Sequence, residues 1–497
     1  MFDAAFKAKI QGYKNEPPGS VVAPCKRAPA HLTVKVIHAE NHKAFGGVQV
    51  SIDGPTPKTG RTDRSTGKVT FHNLDPGGYS ARFIPPSMNP PVFEEGDKSR
   101  YLAENEAIVA LGPAEHNEVI LVVRRTKIET SDRLACQRAK DLLVFIDELE
   151  FKDKKRLLTG QFCGYAHEDP PGKAKEEADR VSDYLIEKTH GLTQKYPAFI
   201  CVDYGNFMAT RELDTAAANA VALEYAKAGG LVSVSVHVYN PARPIAELSV
   251  KDRPKRKEKN PKYPHEDPKN EFVYIDLPKE ASNDFDGLFD YRMRVGGVGV
   301  QDLWYEQIAQ VATGLKVLQN AGIVVLFRPF HEMNGDWFWW GKHEPAKFKA
   351  AWRILHRKLT SEHQLHNLLW VYGPNNGTDT SKYYPGNHWV DLIGLDVYTD
   401  YVQPTANGVG FDGYDELAQI EKPFGFTEFG PHDAKSAPGT YDYRKFIDGV
   451  IQHFPRTTHF LAWYKNWSPA NNPNPKKFYT HPWIITREDL PKHVVKP

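Results

Sequence analysis

Two glutamates stand at the ends of apolar, strand-like runs, a placement that suits proton transfer and nucleophilic attack. In FRPFHEMNGDWFWWG (327–341) the run leads into His331 and Glu332, then Asn334, then four aromatic residues from Trp337 to Trp340. In FGFTEFG (424–430) a second run ends on Glu428. A carboxyl beside an aromatic cluster is partly desolvated, which raises its pKa toward a range useful to a general acid at neutral pH. Hydrolysis of a glycosidic bond needs two carboxyl groups of this kind. One protonates the leaving oxygen, and the other attacks the anomeric carbon or activates water. Each glutamate also has a plain structural reading as a salt-bridged carboxylate at a strand end. Phe338, Trp339 and Trp340 cannot all face a cleft, so at least one of them packs in the core.

The elements that position these residues follow from periodicity. From about residue 130 onward, apolar runs alternate with helix-sized segments: 157–163, 198–204, 231–237, 323–330, 368–374, 391–398, 423–430 and 459–464. Eight such runs predict a parallel (β/α)₈ barrel of the α/β class over 130–490, with chemistry at the C-terminal strand ends. Alternation supports this reading. In LVSVSVH, Val232, Val234 and Val236 share one face, while Ser233, Ser235 and His237 share the other. In DLIGLDVY, Ile393, Leu395 and Val397 oppose Gly394, Asp396 and Tyr398. Arg328 shares parity with Glu332 and is expected to point into the barrel, where its charge would keep Glu428 ionised. Asp203 and Asp396 lie at strand ends and are candidates for orienting the site. His237 also has a plain reading as a satisfied core histidine, which its Ser-x-Ser-x-His face disfavours, and Trp463 in FLAWY one as ordinary packing. The charged, Pro-rich stretch 251–272, between the third and fourth runs, reads as a solvated loop.

Ahead of the barrel, residues 1–30 read as a polar tail, and 31–126 as a small all-β sandwich of short alternating runs separated by turn clusters such as DGPTPKTG. Within it, TDRSTGKVTFHNLDPGGY (62–79) resembles carboxypeptidase-regulatory-like and Cna B-like modules over a single expected hairpin. The aromatics of this region, among them Phe71, Tyr79, Phe83, Phe93 and Tyr101, include no Trp, which favours a spacer or docking role over polysaccharide binding.

FRPFHEMNGDWFWWG, with FTEFG about 96 residues later, strongly resembles glycoside hydrolase family 26. SVSVHVYNP and DLIGLDVY extend the resemblance in patches through 155–470, with Val236 where the family often has Trp. The resemblance implies a retaining barrel, with Glu332 as acid/base after the fourth strand and Glu428 as nucleophile ending the seventh. It further implies that His237 and His331 contact sugar hydroxyls, that Tyr398 hydrogen-bonds the nucleophile, and that Trp337 and Trp463 wall the cleaved bond. No metal or organic cofactor is implied. The substrate it points to is a mannan-type polysaccharide, cut by an endo-acting β-1,4-mannanase. Mixed-linkage β-glucanase and β-1,3-xylanase activities share the same machinery, and a non-hydrolytic carbohydrate-binding protein is the rival from another class.

Bulk properties narrow the alternatives. Sixty-three Lys and Arg against 62 Asp and Glu leave a net charge of +1, which gives no electrostatic case for nucleic acid or an anionic membrane. Four cysteines (Cys25, Cys136, Cys163, Cys201) are too scattered for a disulfide framework or a paired-cysteine metal site. No run of 18 apolar residues spans a membrane. The first twenty residues do not read as a signal peptide as written. A polymeric substrate nevertheless places the expected site of action outside the cell or on its surface. A monomer is expected.

Overall fold

The computed structural model describes residues 28–63, 65–84, 100–167, 183–206, 213, 215–238, 240–242, 284–431 and 439–495. The basic stretch 251–272, most of the N-terminal tail, Cys25 and Phe93 lie outside them.

Eight strands come first: β1 (Ala30–His38), β2 (Gln49–Asp53), β3 (Lys58–Arg61), β4 (Lys68–Leu74), β5 (Gly77–Ile84), β6 (Tyr101–Ala103), β7 (Ala107–Leu111) and β8 (His116–Arg125). They form two four-stranded sheets, ordered β4-β1-β8-β6 and β3-β2-β5-β7. Inward-facing residues of both, including Val34, Val50, Phe71, Tyr79 and Leu121, join in one core. Strand alternation therefore yields the expected sandwich. The hairpin expected over 62–79 does not form. β4 pairs with β1, whereas β5 pairs with β2 and β7, so the chain changes sheets at Asp75–Pro76. Pro76 has no N–H to offer across a hairpin. The corner is tied to the second sheet instead: Thr56 Oγ1 donates to Asp75 Oδ2, and the Tyr79 hydroxyl to the Asp75 carbonyl, each at 2.8 Å. β3 occupies part of the stretch read as a turn cluster.

The barrel begins after helix α1 (Gln137–Leu149). Its strands are β9 (Leu157–His167), β10 (Phe199–Asn206) and β11 (Leu231–Ser235), then, beyond a small hairpin of β12 (Arg294–Val295) and β13 (Val298–Gly299), β14 (Val325–Arg328), β15 (Leu368–Tyr372), β16 (Leu392–Tyr398), β17 (Phe424–Gly430) and β18 (Thr457–Ala462). Every neighbouring pair of the eight is parallel, and β9 pairs with both β18 and β10, which closes the ring. A short β19 (Ile484–Ile485) adds to β9. All eight apolar runs are strands of the barrel. Val232, Val234, Ile393, Leu395 and Val397 pack in the helix layer, as their parity requires. The helix Val300–Asn320 shows why the layer forms: Leu303, Trp304, Ile308, Val311, Leu315 and Leu318 recur at helical spacing and are buried.

The sandwich docks on the barrel at the N-terminal ends of its strands. Arg100 and Arg125 both reach Asp147 on α1, at 2.7 and 3.0 Å. The Arg100 guanidinium also donates to the Glu421 carbonyl, just before β17. His38 packs edge-on against Phe151, and Lys43 pairs with Asp153 at 2.5 Å. The opposite, C-terminal ends of the strands are left for the glutamates.

Candidate active site

Glu332 lies just past β14 in a tight turn. Phe330 and Glu332 both have left-handed backbone, at φ 48° and 54°. Such conformations cost non-glycine residues on the order of 1–3 kcal/mol each and persist only where surrounding bonds impose them. Here the Glu332 amide donates to the Gly373 carbonyl at 2.8 Å, and the Trp340 indole to the His331 carbonyl at 2.7 Å. Phe338, Trp339 and Trp340 are all buried; Phe338 stacks on Trp340, and the Trp339 indole donates to the Val238 carbonyl. The aromatic cluster is thus the scaffold of the turn. Trp337 alone of the four is partly exposed, and its indole donates to Glu332 Oε2 at 2.6 Å. Asn334 exchanges hydrogen bonds with the Asn375 backbone at 2.7 and 2.8 Å, fastening the turn to the loop after β15.

Glu428 owes its direction to a bulge. Phe424, Phe426 and Phe429 all lie in the helix layer, so strict alternation would have pointed Glu428 outward with Phe426. One extra residue on β17 breaks the pattern, since Leu395 pairs with Phe426 but Asp396 pairs with Glu428. Thr427 and Glu428 consequently both face inward. Glycines make room: a Cβ on Gly394 would lie 2.6 Å from the Thr427 methyl, and one on Gly373 2.7 Å from its hydroxyl.

Inside the mouth, Arg328 joins the carboxylates. Its guanidinium donates to Asp396 Oδ2 at 2.8 Å and to Glu428 Oε1 at 2.5 Å. The Tyr398 hydroxyl donates to Glu428 Oε2 at 2.7 Å, and Thr427 Oγ1 to Asp396 Oδ1 at 2.6 Å. One oxygen each of Glu332, Asp396 and Glu428 lie within 4.8 Å of one another. Three carboxyl groups this close are also a possible cation cage, but Arg328 already supplies a positive charge to two of them. Glu332 has no bond to Arg328 among these. Burial, then the neighbouring Glu428 and Asp396, push its carboxyl well above the usual carboxylate range, against the Trp337 hydrogen bond. Burial likewise pushes Asp396 up, against the pull of Arg328. The Tyr398 hydroxyl is held protonated, by burial first and then by Glu428.

A second group flanks the first. His237 Nδ1 lies 2.7 Å from Asp203 Oδ2, and Ser235 donates to the same oxygen. Burial opposes charge on Asp203, but His237, Ser235 and the Gly205 amide outweigh it and hold the carboxyl below its ordinary value. The His237 ring meets His331 edge-on, with centres 4.5 Å apart. Burial, with help from Arg328, drives the His331 imidazole well below its ordinary value, so it is neutral. Trp463 follows β18, stacks face to face on Phe162 at 4.0 Å, and presents an edge to Tyr398. Trp467, absent from the expectations above, also meets Tyr398 edge-on, at 5.9 Å. Its signal in the sequence was its place just after the eighth strand. Thr427 was missed as well, because a bulge leaves no mark in the hydrophobic pattern.

A closed parallel barrel carrying two adjacent carboxyl groups at its C-terminal mouth defines a class of glycoside-cleaving enzymes. The glycosyl hydrolase family 26 model matches residues 132–258 and 289–489, and the chain belongs to that family. A mannan endo-1,4-β-mannosidase of Bacillus subtilis is 31% identical over 369 residues, covering 72% of this chain and 88% of that protein. Mannan endo-1,4-β-mannosidase A and B of Caldalkalibacillus mannanilyticus is also 31% identical, and the match spans 62% of that longer protein. Among solved structures, a Bacillus subtilis mannanase superposes with a TM-score of 0.60 at 26% identity, over 75% of this chain and 99% of that one.

Proposed function

We propose that the chain is a retaining endo-β-1,4-mannanase that hydrolyses mannan, glucomannan or galactomannan. The observation that carries the stereochemistry is the proximity of Glu332 and Glu428, with carboxyl oxygens within 4.8 Å. Retention places the two carboxyl groups about 5–5.5 Å apart, whereas inversion needs about 6.5–9.5 Å to admit a water. The electrostatics support distinct roles. Glu332, kept protonated by burial, donates its proton to the glycosidic oxygen as the bond breaks. Glu428, held by Arg328 and Tyr398, attacks the anomeric carbon to give a glycosyl-enzyme. Glu332, now ionised, takes a proton from the incoming water, and water displaces Glu428 with net retention.

His237, fixed by Asp203, and neutral His331 are placed to bond hydroxyls of the sugar undergoing cleavage. Trp337 and Trp463 serve as aromatic walls. The choice of mannan over mixed-linkage glucan or β-1,3-xylan is supported by the names of the relatives that match over most of their length. A polymeric substrate implies work outside the cell.

Reducing-sugar release from galactomannan, glucomannan, barley β-glucan and β-1,3-xylan tests this reading, with Glu332→Ala and Glu428→Ala beside the native protein. Cleavage of mannans alone, abolished in both variants, is expected. Cleavage of only glucan or xylan overturns the substrate, and an α-configured first product, seen by proton NMR, overturns retention. Binding of polysaccharide without cleavage favours a carbohydrate-binding protein.

A further inference from the structure

The sheet β4-β1-β8-β6 has a second face, turned away from the sandwich core. Leu32, Val34 and Val36 of β1 point inward and are fully buried, so His31, Thr33 and Lys35 point outward. Register does the rest. Leu32 is opposite Phe71 of β4, and His31 is opposite His116 of β8, so histidines from three separate parts of the sequence meet at one end of this face. The Nδ1 atoms of His31 and His72 are 3.0 Å apart, with ring centres at 5.0 Å. The His116 ring centre is 6.1 Å from that of His31. The Thr33 hydroxyl lies 2.8 Å from His116 Nε2 and 2.8 Å from the Thr70 hydroxyl.

A hydrogen bond between two neutral imidazoles is one account of the 3.0 Å pair. A shared cation is the other. Metal–imidazole bonds of about 2.0–2.1 Å, meeting at an angle between square and tetrahedral, separate two ligating nitrogens by roughly 2.9–3.4 Å. The observed separation falls inside that span.

We propose that His31 and His72 form a two-histidine site for a divalent transition-metal ion of the zinc, nickel or copper class, with water completing the coordination and His116, bonded to Thr33, standing beside it. Imidazole nitrogens suit these ions and not magnesium or calcium, which take oxygen ligands. β4 is the edge strand of its sheet. An ion bound here ties that edge to β1, adding the free energy of binding to the stability of the sandwich. The site belongs to the N-terminal sandwich, which docks at the end of the barrel opposite the glutamates, so occupancy leaves catalysis unchanged.

The test uses the full chain, stripped of metal with a chelator and titrated by calorimetry with zinc chloride, nickel chloride and magnesium chloride. One zinc or nickel ion per chain and no heat from magnesium are expected. His31→Gln and His72→Gln should each weaken binding by about tenfold or more, while His116→Gln leaves it unchanged, with circular dichroism unchanged in all three. Absence of binding, or binding that survives both His31→Gln and His72→Gln, overturns the proposal and leaves the imidazole hydrogen bond as the whole account. Should a variant misfold, electron paramagnetic resonance of the native chain loaded with one copper ion decides. Hyperfine structure from two or more imidazole nitrogens supports the site, and oxygen ligation alone overturns it.

Discussion

At the scale of residues, one guanidinium and one hydrogen bond separate the behaviour of two similar glutamates. Arg328 touches Glu428 and Asp396 but not Glu332, and burial together with its two carboxyl neighbours keeps a proton on Glu332. The acid step needs that proton, so the rate falls as pH rises through the raised Glu332 pKa. The Trp337 indole favours the ionised form. Trp337→Phe removes that donor, and the alkaline limb of the kcat/KM profile is expected to move to higher pH. A limb that stays in place or moves down would show that another group sets it. Thr427→Val keeps the shape of the side chain but leaves Asp396 Oδ1 without its donor. Leaving a buried acceptor without its donor costs about 1–3 kcal/mol, so kcat is expected to fall by about five- to a hundredfold with KM little changed. Thr427→Ser should restore most of it. An equal loss in Thr427→Ser would mean that packing, not the hydroxyl, matters.

At the scale of elements, the sandwich is built into the base of the barrel. Asp147 receives both Arg100 and Arg125 with only 6% of its side chain exposed, and on the barrel side of the same junction Arg456 pairs with Glu150 at 3.1 Å. Removing one partner of a buried pair strands the other, at a cost of about 3–5 kcal/mol. Arg125 remains to compensate Asp147, so Arg100→Ala is expected to cost less, about 1–3 kcal/mol. Urea denaturation should show a lower midpoint, with polysaccharide hydrolysis at room temperature unaltered. Lost hydrolysis with an unchanged midpoint would contradict a purely structural junction.

At the scale of the whole molecule, three buried histidines make acid costly. Burial pushes His38, His356 and His459 from 6.5 down to about 4. Between those values the unfolded chain binds protons that the folded chain refuses, so stability rises with pH through this window. The contribution of these histidines is therefore complete above about pH 6.5 and is lost progressively toward pH 4. Thermal midpoints measured from pH 7 to pH 4 should fall accordingly. The decline should be shallower in His38→Phe, which replaces the imidazole between Phe45 and Phe151 with a ring that cannot charge. An identical slope in the variant would remove His38 from the explanation.

Much of this architecture was legible from the sequence because burial is periodic. Eight apolar runs marked eight barrel strands, and the alternation in 231–237 and 391–398 identified which faces meet the helices. The long aromatic stretch around Glu332 identified the turn that carries it. Local pattern carries no information about partners, however. Nothing in DPGG distinguishes a hairpin from a corner between two sheets, since both need the same tight turn and only long-range pairing differs. Nothing in FGFTEFG reveals that Thr427 is an inserted residue, and by alternation alone Glu428 faces the helices. The residue types and their order determined the fold class and the two glutamates. The barrel's closure decided the rest, because the bulge on β17, the reach of Arg328 across to β16 and β17, and the meeting of His31, His72 and His116 exist only once strands distant in sequence lie side by side.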